Sequence, residues 1–194
     1  MLNKLKRFIG SNEPVQHKSE EIEQQQYIQY AQELEQSLSR LEAGVHESDD
    51  PSWIMQSVMK TALDFYKGDW IGFLEVDLEL GLWTPTHWYN PSPNDKTLDL
   101  LQEFESAEFL HRWVTAMHDN TAIVVPDMEE VREQFPGEYA VYQRLMAKSV
   151  LAVPVKPRPM GFLVIRNPQR YLTRSSMLQL LAFVVLACVN EQKL

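Results

Sequence analysis

Cysteine is nearly absent from this chain of 194 residues: Cys188 stands alone. One thiol can form neither an intramolecular disulfide nor a thiolate metal cluster, so the fold rests on its apolar core and a reducing, cytoplasmic setting fits. Glycine is scarce too, seven in all, and the chain carries neither a P-loop nor a dinucleotide-binding glycine fingerprint. Basic residues are in deficit, 18 Lys and Arg against 27 Asp and Glu, for a net charge of -9. Such a surface repels phosphate backbones, and no basic patch in the body of the chain offsets it, which argues against nucleic acid as a partner. Long apolar runs are missing as well. "MLQLLAFVVLACV" is too short to span a bilayer, contains Gln179 and runs into Asn190, Glu191 and Gln192. "MLNKLKRFIG" is basic, but "SNEPVQHKSEEIEQQQ" follows it where a signal peptide would have its apolar core.

What is present divides into three segments: a flexible tail over 1–18, a dimerisation helix over 19–48 and a sensory-type domain over 49–194. In the tail, Leu2, Leu5, Phe8 and Ile9 mix with Lys4, Lys6 and Arg7 without a sustained period; it reads as frayed chain, with contact to a membrane or a partner as the alternative. From Ser19 the chain has no Gly or Pro until Gly44, and Tyr27, Ala31, Leu34, Leu38, Leu41 and Val45 recur in steps of four and three. That seam predicts a helix packed along its length on a partner helix, as in a coiled-coil homodimer. Asp50 and Pro51 are suited to cap and start the next helix, which Lys67 and Gly68 end.

"DWIGFLEVDL" and "LWTPTHWYN" read as strands joined by a tight turn, followed by helices over "LDLLQEF" and "AEFLHRWVTAMHD" and a short strand at "TAIVVPDM". Then come a helix interrupted at Pro136 and Gly137, the strand pair "SVLAVPVKP" and "MGFLVIRNP", and a last helix capped by Ser175 or Ser176. Consecutive strands with tight turns are antiparallel, and helices at both ends must cover one face, so an α+β sandwich follows. In the last helix Leu178, Leu181, Val185 and Cys188 form one stripe, while Leu180, Val184 and Leu186 extend the apolar surface around it. A helix this apolar needs cover on more than one side, so Leu178, Leu181 and Val185 join the seam residues as candidates for a dimer interface.

From about Trp53 to Leu194 the sequence resembles a GAF domain, through "GDWIGFLEVDLELGLWTPTHWYNP", "FLHRWVTAMHDNTAIVVPDMEEV", "PGEYAVYQRLMAKSVLAVPV" and "MGFLVIRNP". The resemblance implies a central antiparallel sheet, terminal helices on one face, and short helices and loops over a ligand cavity on the other. It also implies a sensory or dimerising role in signalling. The chain departs from three chemically defined branches of that family. The Asn-Lys-Phe-Asp-Glu constellation of the cyclic-nucleotide branch is not in place, the lone cysteine lies far from the middle third where bilins attach, and methionine sulfoxide reduction needs several cysteines.

The candidate lining of the cavity is a supply of rings with polar tips, Trp83, His87, Trp88, Tyr89, Trp113, Tyr139 and Tyr142, together with Arg112. Simple alternation sets Trp83, His87 and Tyr89 on one face of their strand and Leu82, Thr84, Thr86 and Trp88 on the other, with Pro85 able to shift that register. Arg112 either reaches an anionic ligand or pairs with Glu108, and Arg166 ends the last strand at the sheet rim. His111 and His118 lack a third convergent ligand, so no metal site is expected. The reading is a non-catalytic, small-molecule-binding module that signals through dimeric terminal helices; no cofactor is named by the sequence. Its last helix runs on without a breaker, which suits a downstream output partner. The alternatives are a dimerisation or protein-interaction module with a collapsed cavity, and, ranked last, a small enzyme using Glu75, His87 or Arg112.

Overall fold

The computed structural model describes residues 13–192 apart from 47, 78, 81, 93, 95, 98–110, 158 and 159, with side chains of the first helix described from Glu20 onward. The expected tail 1–18 lies outside these residues up to position 12, and so do the helix expected at "LDLLQEF" and the partner Glu108. The chain forms two compact units, Met1–Ser39 and Arg40–Leu194. Helix α1, Glu13–Val45, makes up what is described of the first and runs into the second, so the helix starts earlier than the expected boundary at residue 19. Its unbroken Glu, Gln and Leu content suits a helix about 50 Å long. Along the seam, Tyr27 and Ala31 are exposed, Leu34 and Leu38 half-buried and Leu41 buried.

The second unit is built on a five-stranded antiparallel sheet of β1 (Trp70–Asp77), β2 (Leu82–Tyr89), β3 (Ile123–Val125), β4 (Val150–Val155) and β5 (Gly161–Arg166), in the order β2-β1-β5-β4-β3. One face carries α2 (Pro51–Tyr66) and α5 (Ser176–Gln192), which pack on each other and on the strands. The local signals for α2 hold: Asp50 is its N-cap and accepts from the Ser52 amide at 2.9 Å, and Lys67 ends it in a left-handed turn with φ 54°. Tyr66, fully buried, ties the two helices by donating its hydroxyl proton to the Arg174 carbonyl and accepting from the Leu178 amide.

The stripe Leu178, Leu181, Val185 and Cys188 corrects the dimer expectation for α5. All four are buried within the domain, at 0 to 4 % exposure. The most regular apolar stripe went to the sheet and α2 because they offer the largest dry surface within reach of the same chain. The side of α5 left outward instead carries Leu180 and Phe183, 47 % and 71 % exposed. Over the opposite face of the sheet lie α3 (His111–Asp119), a 3-10 turn at Met128–Val131 and α4 (Pro136–Arg144). Asp127 caps the 3-10 turn by accepting from the Glu129 amide. Asp77 likewise accepts from the amides of Glu79 and Leu80, so it builds the turn after β1.

Candidate functional site

The face of the sheet away from α2 and α5 is laid down by strand alternation. Trp70, Leu74 and Val76 of β1, Phe162 and Val164 of β5, and Val150 and Ala152 of β4 share it, and Trp113, Ala116 and Met117 of α3, Val131 and Tyr142 close over it. How β2 joins this layer depends on a bulge. The β1–β2 register steps from Phe73 opposite His87 to Leu74 opposite Pro85, leaving Thr86 extra. Pro85 has no N–H to give to a ladder, and β2 is an edge strand, where a proline and a bulge cost least. The extra residue reverses the alternation. Trp83 and Trp88 fall on the face of Val76 and Gly72, whereas His87 and Tyr89 fall on the face of Phe73 and Ile71, toward the helices. The grouping of Trp83 with His87 and Tyr89 is therefore corrected, and the cause is Pro85.

His87 is engaged on that helical side. Its Nε2 lies 2.8 Å from Gln192 Oε1 and its Nδ1 3.1 Å from Thr86 Oγ1, while Gln192 Nε2 donates to Ser52 Oγ at 3.1 Å. The ring thus links the edge strand to the end of α5 and the start of α2. Trp88 is 38 % exposed. Tyr139 joins a surface network, donating to Glu129 Oε1 at 2.8 Å and accepting from Gln143 Nε2 at 3.0 Å.

Three of the expected residues come together around one that sequence reasoning missed, and a fourth, Trp83, packs against one of the three. Glu138 is fully buried in the first turn of α4. Arg112 holds it in two places, Nε to Oε2 at 3.1 Å and Nη2 to Oε1 at 2.5 Å, and Trp113 Nε1 donates to Oε1 at 3.0 Å. The Tyr142 hydroxyl donates to the same Oε1. The helix N-terminus adds partial positive charge beneath the carboxylate. Burial opposes the charge on Arg112, but the hydrogen bond and the charge of Glu138 outweigh it and hold the guanidinium above its ordinary pKa. A carboxylate in the first turn of a helix usually signals a solvated acid, so nothing local announced that this one would be enclosed. Against this cluster stand three rings: Trp113 packs edge-on against Phe162 at 4.9 Å and Trp83 at 6.1 Å, and Trp83 lies near-parallel to Phe162 at 5.9 Å.

Arg166, the other arginine considered for an anion, is also committed. Its Nε donates to Asp69 Oδ1 at 2.7 Å, and its Nη1 to the Leu145 carbonyl at 3.1 Å and to Thr97 Oγ1. A cleft of about 390 Å³ lies elsewhere, between α5 and the end of β4, lined by residues including Pro154, Val155, Ala182 and Phe183. It contains none of the clustered polar groups, so the chemistry on the outer face carries more weight than this concavity.

Burial first, and then the charge and hydrogen bond of Glu138, hold the Tyr142 phenol well above its usual pKa of about 10. A group whose folded pKa exceeds its unfolded one contributes stability that is complete below the unfolded value and is lost as pH rises toward the folded one. Urea stability of the protein is therefore expected to fall above about pH 10, and Tyr142→Phe to flatten that fall; an equally steep fall in the variant would assign it to other groups.

The sequence matches no family model and no curated protein. The backbone is similar to a protein solved in its far-red-absorbing dark state with bound biliverdin, with TM-score 0.65 at 12% identity over 81% of this chain and 99% of the other. It is similar to the phycoerythrobilin-bound GAF domain of a cyanobacterial phytochrome, with TM-score 0.63 at 12% identity over 83% and 96% of the two chains. It also resembles the free methionine-R-sulfoxide reductase of Neisseria meningitidis in complex with its substrate, with TM-score 0.53 at 16% identity over 83% and 92%. At such identities the likeness is one of fold: after a long N-terminal helix the chain has a GAF-type α+β fold, as the resemblance of Trp53–Leu194 implied. Among the described residues no helix is long and apolar enough to cross a membrane.

Proposed function

We propose that the protein is a non-catalytic, cytoplasmic sensory module that binds a small molecule on the outer face of its sheet and passes the effect on through dimeric terminal helices. The observation that carries this reading is Glu138, enclosed without solvent and held by Arg112, Trp113 and Tyr142 inside an aromatic layer. An apolar core filled with Leu and Phe would need none of these polar atoms and would spare the cost of enclosing a charge. A rigid, fully bonded polar wall beside ring faces is what a binding site uses to fix a ligand's orientation. The likeness to bilin-bound domains supports a ligand on this face in general but not a thioether-linked bilin, because Cys188 is buried and lies in α5, on the other side of the sheet. Of the residues in the enzyme alternative, Glu75, His87 or Arg112, the first two fall on the helix-bearing face and Arg112 lies beyond the other, paired with Glu138.

Dimerisation belongs to the same proposal. Ile22, Tyr27 and Ile28 on α1, and separately Leu180 and Phe183 on α5, are the exposed apolar side chains that a second copy would cover. The binding reading is tested by thermal denaturation in a panel of soluble aromatic metabolites. A ligand at one hundred times its Kd stabilises by about 2.7 kcal/mol, which raises Tm by several degrees. A saturable rise is expected in the wild type and not in Trp113→Leu, provided that the variant shows a native melt. No rise with any compound would leave the protein-interaction alternative standing.

A further inference from the structure

We infer that the ligand of the outer face is an uncharged aromatic molecule that brings a hydrogen-bond acceptor to the indole N–H of Trp83; this rests on the reading of that face as a binding site. Trp83 Nε1 is enclosed and has no acceptor among the described residues. A donor in that position has given up its hydration and regained nothing. Its neighbour shows that the site can satisfy an indole from within, since Trp113 Nε1 has Glu138. A phenylalanine at position 83 would offer a stacking surface to Phe162 with no donor to satisfy, so the N–H is what the tryptophan adds.

A second enclosed indole, Trp70 Nε1, is also without an acceptor among the described residues, but it sits apart. Trp70 starts β1 opposite Arg166 and lies over Gly72, where a Cβ would come within 2.1 Å of its ring. Trp83 pairs with Val76 at the far end of β1, beside Trp113 and Phe162. Only the Trp83 donor therefore belongs to the ring cluster next to Glu138. Trp83 is only partly buried and sits on the edge strand, so part of its indole is open although Nε1 is not, and a ligand meets the N–H once the contacts that enclose that atom open.

The charge class follows from the two arginines. Arg112 is spent on Glu138 and Arg166 on Asp69, so an anion entering the layer would find both guanidiniums already engaged. A cation would meet a carboxylate that already accepts four hydrogen bonds. Ring faces and edges on the walls favour an aromatic body.

Two probes of nearly one shape separate the possibilities: 3-methylpyridine, uncharged in mildly alkaline buffer, and toluene, which lacks the acceptor nitrogen. The readout is the indole region of the ¹H–¹⁵N spectrum of the full chain, which holds five tryptophans, with the Trp83 signal identified by its absence in Trp83→Phe. We expect 3-methylpyridine to move that signal downfield and to bind roughly five- to tenfold more tightly than toluene, the scale of one net hydrogen bond. In Trp83→Phe that preference should be lost or reversed, because the ring nitrogen would then leave water with no donor to meet it. Equal binding in the wild type would overturn the acceptor inference while leaving a pocket on this face. Binding of neither would overturn the pocket and the inference together.

Discussion

Replacing Arg112 by leucine is expected to cost the protein about 3 kcal/mol, more than almost any surface change. Arg112 is only 25 % exposed and its partner Glu138 is not exposed at all, so the substitution strands an enclosed carboxylate without its counter-charge. Breaking buried pairs in this way costs roughly 3–5 kcal/mol. The lower end applies because Trp113 and Tyr142 still donate to Glu138. For a domain of this size the fall in Tm is on the order of 10 °C. Adding Glu138→Gln to Arg112→Leu removes the charge while keeping an oxygen for the indole and the phenol, and should bring stability back to within about 1.5 kcal/mol of the wild type. Urea melts of the four proteins in this cycle give the coupling directly. A loss below about 1 kcal/mol for Arg112→Leu would place the pair among ordinary surface ion pairs and remove the polar wall on which the binding proposal stands.

Leu181→Ala and Phe183→Glu should separate stability from association, although the two positions are two residues apart on α5. Leu181 is 1 % exposed, inside the layer between α5 and the sheet. Truncating it removes buried methyl groups and leaves a cavity in a packed core, at a cost of about 2–5 kcal/mol. Phe183 is 71 % exposed. A glutamate there should change the stability of the folded domain by no more than about 0.5 kcal/mol, but it would set a charge in any interface that covers the residue. Light scattering at micromolar concentration is expected to show a dimer for the wild type and for folded Leu181→Ala, and a monomer for Phe183→Glu. A monomeric wild type would end the dimer reading, and a dimeric Phe183→Glu would move the interface away from this face of α5, with α1 as the surface left to test.

Much of the fold was legible because its signals are local. Asp50 with Pro51, Asp127 before its turn, and the β-rich runs flanked by prolines each act within a few residues, and the structure places an element at every one. The periodicity of α5 likewise gave a helix with a single best stripe, Leu178, Leu181 and Val185. What covers that stripe is not a property of the helix, however. A dimer partner and the molecule's own sheet are equally good apolar surfaces to a sequence pattern, and only the tertiary structure decided for the sheet. At the outer face Arg112, Trp113, Tyr142 and Trp83 could be singled out as rings and charges with polar tips, but three features of their arrangement could not. Pro85 announced a possible register shift, but its outcome, Trp83 outward and His87 toward the helices, depends on pairing with β1. Tyr139 and Tyr142 look alike along α4, and which of the two turns inward depends on what packs against that helix. Glu138, an acid that local rules assign to water, is buried because α3 delivers Arg112 and Trp113 to it from 26 and 25 residues away. Patterning determined the elements and their apolar faces, since these follow from the chain's own repeat; which polar groups met was decided by long-range packing, which no local repeat encodes.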